Sequence, residues 1–219
     1  MISTTLFLTR IRIVESSKIM RFLSRISLAF IILNVLVILT SWMISAVMPA
    51  LGINSLLSYA GIRWFFGCFS DNLSSEILVW LLLLGIGGQV FISSNIINVF
   101  KGINPVGYKQ RLAISASLVI SGIILLSVFL LALKPHAMLL SVTGDLFPSP
   151  FSYALIPIVS FSLLSIGATY GLIAEVYTGF HDIFKSMVRG VNHIAPVIVA
   201  YIFTAQFYYS VKYVLSNIL

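Results

Sequence analysis

The stretch DLFPSPFSYALIPIVSFSLLSIGATYGLIAEVYTGFHDIFKSMVRGVNHIAPVIVAYIFTAQF (residues 145–207) decides the fold. It opens on Phe147-Pro148-Ser149-Pro150-Phe151 and continues through a run without charge to Gly167-Ala168-Thr169-Tyr170-Gly171. A polar connector, Glu175 to Arg189, leads into a second apolar run holding Thr204-Ala205-Gln206-Phe207. At about 1.5 Å per residue, roughly 20 helical residues cross the ~30 Å hydrocarbon core of a bilayer. Each run is long enough, so the stretch is predicted to be a transmembrane hairpin.

Composition extends that reading to the whole chain. Of 219 residues, 59% are hydrophobic and 9% charged. A soluble domain carries about 25% charged residues, so these charges are too few to cover a water-facing surface. The expected class is an all-α integral membrane protein whose first partner is the lipid bilayer. The net charge of +7 does not point to nucleic acid, because the basic residues sit at the ends of apolar runs, where they meet headgroups. One cysteine, Cys68, excludes an intramolecular disulfide and a cysteine-based metal cluster.

About five transmembrane helices are predicted, at 26–48, 77–100, 112–133, 151–174 and 191–211. Residues 1–25 carry Arg10, Arg12, Lys18, Arg21 and Arg25 and read as a basic cytoplasmic segment ahead of a membrane domain spanning 26–219. The run Ile26–Met48 is longer than the ~7–15 residues of a signal-peptide core, and is read as an anchor. Between the first two spans, Trp64, Phe65 and Phe66 alternate with polar residues, which predicts an interfacial helix at 54–70. Asp182, Lys185 and Arg189 are spaced as on one face of a short amphipathic connector helix. With the N-terminus in the cytoplasm, inner segments hold ten Lys or Arg and outer segments three, Arg63, Lys134 and Lys212. The positive-inside bias supports that orientation, with five spans leaving the C-terminus outside, and a bacterial-type inner membrane is the expected location.

No span carries an Asp, Glu, Lys or Arg near its middle, although carriers coupled to ions usually place one there. Gln89, Asn95 and Gln206 are intramembrane amides; each is a candidate substrate contact or a helix-to-helix hydrogen bond. His193, about one turn inside the last span, is the candidate proton relay, against a position near the headgroups. Gly85, Gly87, Gly88, Gly167 and Gly171 are candidates for helix packing, because removing side-chain bulk lets backbones approach. Glu175, His181 and Asp182 have metal-ligand side chains, but a spacing of six then one does not place them on one helix face. No metal or cofactor is expected, and no phosphate loop or nucleophile–base constellation indicates an enzyme.

Several of these motifs, taken together, resemble the aminobenzoyl-glutamate transporter (AbgT) family. They are Gly61-Ile62-Arg63-Trp64, Leu84-Gly85-Ile86-Gly87, Thr143 to Phe151, Gly167 to Gly171, Asp182 with Met187, Thr204 to Phe207, and Ser216-Asn217, in family order. The resemblance implies a dimeric, ion-gradient-driven membrane transporter of p-aminobenzoyl-glutamate, related folate-type compounds and antimetabolites. It also implies nine membrane helices and two re-entrant hairpins, from which this sequence departs. Only Lys101 to Arg111 stands where the first hairpin is expected, and Leu219 falls ahead of the second. Gln89 or Val90 replaces the family's acidic residue after the glycines of the second span. What matches resembles the scaffold helices, so the substrate and ion ligands of the family carry over to no position here. Two expectations follow: an AbgT-like inner-membrane transport protein lacking the usual hairpin core, or a non-transporting scaffold or accessory subunit that pairs with itself or with another membrane protein.

Overall fold

The computed structural model describes residues 2–100, 107–132 and 149–216. The turn at 101–106, the loop at 133–148 that includes Thr143 to Pro148, and Asn217 lie outside the described residues. Among the described residues every regular element is helical. Five helices among the described residues are long and apolar enough to cross a membrane. Large apolar side chains such as Phe22, Leu125, Leu126 and Phe129 stand exposed along them. Water would penalise that exposure and lipid does not, so the protein is an all-α, multi-pass membrane protein.

The chain divides into two compact units, Met1–Leu78 with Ala195–Leu219, and Val79–Ile194. In the first, α1 runs Ile2–Val47. It stops where Pro49 bars helical backbone at Met48, and a single 3-10 turn, Pro49–Leu51, closes on Gly52 in the left-handed conformation. The segment after it is tied to α1 by the Leu56 N–H, which donates to Ser41 Oγ at 3.2 Å. Ser58 then caps α2, Tyr59–Gly67, its Oγ accepting from the Gly61 N–H at 3.0 Å. A short α3 follows at Phe69–Leu73. The later part of α8, Phe180–Leu215, completes this unit. Trp64 stacks on Tyr213 at 4.3 Å between ring centroids, and Phe30 packs on Phe207 at 5.4 Å. Asn54 Nδ2 donates to the Tyr213 carbonyl and to Ser216 Oγ, and Ser75 and Tyr201 share a hydrogen bond.

The second unit is built from α4 (Glu76–Ser93), α5 (Ile96–Phe100), α6 (Tyr108–Ala132), α7 (Pro150–Ile173) and the start of α8. Pro150 takes the first helical position of α7, where its missing N–H is not needed, and the Ser149 N–H donates to Ser152 Oγ at 3.2 Å. Ile96, Val99, Ala113 and Tyr170 form one buried cluster, and Val90, Tyr177 and Ile183 another.

Several boundaries differ from the sequence reading. Helix α1 continues through the basic residues at 18–25 instead of beginning at 26. The second span, expected to reach 100, ends at Ser93: Ser94 turns its hydroxyl back to the Phe91 carbonyl at 2.7 Å, and Asn95 takes φ 67°. Asn is among the few residues that enter the left-handed region readily, which is why the break falls there. The helix expected at 54–70 begins at Tyr59, behind the Ser58 cap. The expected connector helix and last span are one helix, α8, in which Asp182 lies in the first turn and Pro196 lies inside.

Candidate functional site

In the second unit, glycine sets how closely three helices meet. A Cβ at Gly87 on α4 would overlap the carbonyl of Ser160 on α7, and the Ser160 hydroxyl donates to the Leu83 carbonyl on α4. Seven residues along α7, a Cβ at Gly167 would lie 2.7 Å from the Phe91 Cα. On the α8 side, Gly190 faces the Gly85 carbonyl, and a Cβ at Gly85 would lie 2.7 Å from Ile194 Cδ1. Gly88 borders open space, with nothing within 4 Å, so it takes no part in these approaches despite sharing the glycine run.

The turn between α7 and α8 locks onto the same place. Glu175 adopts φ 57°, and the Val176 and Glu175 N–H groups return to the carbonyls of Gly171 and Leu172. This is the Schellman arrangement with glutamate where glycine is usual. Tyr177 lays its ring where a Cβ of Gly171 would sit and donates its hydroxyl to the Val90 carbonyl at 2.8 Å. Burial raises the Tyr177 phenol above its ordinary pKa, so it remains a donor. Ser186 Oγ reaches the Gln89 carbonyl at 3.5 Å. Thr178 donates its N–H and its hydroxyl to Asp182 Oδ2, at 2.9 and 2.6 Å, which fixes the start of α8.

The candidate residues fall in different settings. Gln89 lies at the α4–α8 approach, its Nε2 donating to Ser93 Oγ at 2.9 Å, one turn along its own helix. Asn95 is exposed in the break after α4, its Oδ1 accepting from Asn98 Nδ2 at 2.6 Å. His193 is exposed on α8, with Nδ1 2.8 Å from the Arg189 carbonyl. Glu175 pairs with Lys109 at 2.5 Å, both side chains more than half exposed, and no group of three His, Cys, Asp or Glu among the described residues could share a metal. From residue 18 on, no described Asp, Glu, Lys, Arg or His is buried, which leaves neutral amides and hydroxyls as the polar groups inside the helices there.

Gln206 belongs to the first unit. It is 4% exposed and lines a cavity of about 250 Å³ together with Asn34 of α1, four phenylalanine rings and aliphatic side chains. The sequence reading passed over Asn34, a lone amide within an uncharged span, and over Ser160, Tyr177 and Gly190, whose partners are distant in sequence. The Gly85–Gln89 and Tyr170-Gly171 neighbourhoods pointed to the crossing but not to what fills it.

A multi-pass helical membrane protein, with small-residue crossings and neutral amides in its spans, is the class the structure defines. The family model described as the AbgT putative transporter family matches residues 103–217, more than half of the chain. The chain belongs to the AbgT family. Among curated proteins and among solved structures, none matches it.

Proposed function

We propose that this chain is an inner-membrane AbgT-type transport protein, moving p-aminobenzoyl-glutamate or a related folate-type or antimetabolite compound at the expense of an ion gradient. Membership of the AbgT family carries this reading. The N-terminus is cytoplasmic and the C-terminus outside, with the working form a homodimer or a complex with another membrane protein. Gln89, Asn95 and Gln206 are the amides available to a substrate, and His193 is the candidate proton relay. One observation favours a second reading, a non-transporting scaffold subunit: from residue 18 on, no described ionisable side chain is buried, and ion coupling ordinarily uses one.

Reconstituted vesicles holding this protein alone separate the two. Labelled p-aminobenzoyl-glutamate is followed with and without an imposed proton or sodium gradient. Gradient-dependent accumulation above empty vesicles is the expected result. Flux equal to that of empty vesicles overturns the stand-alone carrier in favour of the scaffold reading.

A further inference from the structure

A second groove in the first unit runs up to a stripe of cations. Between α1 and the later part of α8 lies a space of about 370 Å³, walled by Leu23, Leu28 and Ile31 of α1 and by Pro196 and Val199 of α8. Leu28 and Val199 are about half exposed, so the groove is open along one side. Ser24 and Ser27 also line it, but their hydroxyls donate to the carbonyls of Arg21 and Leu23 within α1, both at 2.9 Å. Their protons are thus used inside the helix, and the wall is mainly hydrocarbon. The lining runs along α1 from Met20 to Ile31, about 16 Å at 1.5 Å per residue. One leaflet contributes about 15 Å to the hydrocarbon core of a bilayer, so the groove has the length of an acyl chain's share.

Charge selects the occupant. Lys18, Arg21 and Arg25 are exposed and stand at i, i+3 and i+7 on α1, which puts them on one face. Arg21 precedes Leu28 by seven residues, two helical turns, so the cationic stripe borders the groove at its N-terminal end. Between residues 16 and 70 the sequence holds no Asp or Glu, so the field at this end of the groove is positive. Arginine suits a phosphodiester, because its planar fork meets two oxygens at once. A zwitterionic headgroup brings its own ammonium against the same cations. A second copy seated on this face, with the same orientation in the membrane, would set its Lys18, Arg21 and Arg25 against these, and like charges repel. We infer that the α1–α8 groove holds one phospholipid of net negative charge, its phosphate on the Lys18–Arg21–Arg25 stripe and one acyl chain along Leu28 and Ile31. The site depends neither on transport nor on which side of the membrane the N-terminus faces.

Native mass spectrometry of the full chain in mild detergent tests this by titration with phosphatidylglycerol and phosphatidylcholine of identical chains. The first phosphatidylglycerol is expected to bind saturably and at least about tenfold tighter, since each Lys or Arg near an anionic headgroup contributes about fivefold. Arg21→Gln with Arg25→Gln should abolish that preference. Val199→Trp, which fills the groove, should weaken phosphatidylglycerol by about tenfold although every cation remains. Lys185→Gln removes an exposed cation outside the groove and should change nothing. On the natural sequence, phosphatidylglycerol with a photoreactive acyl chain should crosslink within 20–31 or 196–199, which locates the lipid even where a variant fails to fold. The inference is overturned by equal affinity for the two lipids, by a preference that survives in the folded double variant, or by crosslinks lying wholly outside those residues. An equal loss in Lys185→Gln also overturns it, as diffuse attraction to the whole basic surface. So does glycerol phosphate binding as tightly as the intact lipid, which would make the stripe a site for free phosphate and leave the groove without a part.

Discussion

A methyl group added at Gly167 would stand 2.7 Å from the Cα of Phe91 and 2.8 Å from its nitrogen, and backbone atoms cannot swing aside as a side-chain tip can. Gly167→Ala is therefore expected to destabilise the protein by about 1–3 kcal/mol, the usual cost of forcing bulk into a packed contact. Gly88→Ala is the matched control. Its Cβ meets nothing within 4 Å, so relief of backbone entropy alone should leave stability unchanged or raised by up to ~1 kcal/mol. Reversible unfolding in mixed micelles measures both, and equal effects would contradict the close crossing of α4 and α7. Sequence made these glycines visible as a group but could not sort them. Gly87 and Gly88 are neighbours, yet they face about 100° apart on a helix of 3.6 residues per turn, so one meets Ser160 and the other meets nothing. Asn34 shows the converse. It lines one cavity with Gln206, 172 positions later, and no local pattern links the two.

At the scale of elements, the turn from α7 to α8 depends on Tyr177. Tyr177→Phe keeps the ring over Gly171 and removes the bond to the Val90 carbonyl, which still accepts from the Ser94 N–H at 3.1 Å. The expected loss is about 0.5–1.5 kcal/mol, with faster amide exchange across 174–179 than at the ends of α6. Exchange unchanged at the turn would mean that the ring alone holds it. The five spans were legible because an uncharged run of some 20 residues has few other stable environments. Their ends were not legible, for separate reasons. Asn95 stops α4 by entering a backbone region that hydropathy does not register. Pro196 sits inside α8 without ending it, because a proline removes one helical hydrogen bond and neighbouring packing can carry the helix on. The charges from Asp182 to Arg189 suggested a separate connector, but they occupy the opening turns of the same helix. At 36 residues and about 1.5 Å each, α8 is roughly 54 Å long, and so has turns to spare beyond a ~30 Å core.

For the whole molecule, the orientation proposed from the positive-inside bias has a native reporter. Cys68, the single cysteine, follows α2 directly and is partly exposed. With the N-terminus in the cytoplasm it faces outward. A membrane-impermeant maleimide should therefore label intact cells and spare sealed inside-out vesicles, and the opposite pattern would reverse the topology. The composition of the first unit bears on how the protein is made. It joins Met1–Leu78 to Ala195–Leu219, and its Asn54 bonds to Tyr213 and Ser216 bridge separations of 159 and 162 residues. Helix α1 and the segment carrying α2 leave the ribosome well before the strand of chain that completes their packing exists. Loop-closure entropy makes such distant contacts form late, and surfaces left open meanwhile attract wrong partners. Helices α1 and α2 thus wait as unfinished goods in the bilayer while the chain from α4 to α8 is made, and the yield of the protein in a cell is expected to depend on whatever insertion machinery shelters them until α8 arrives.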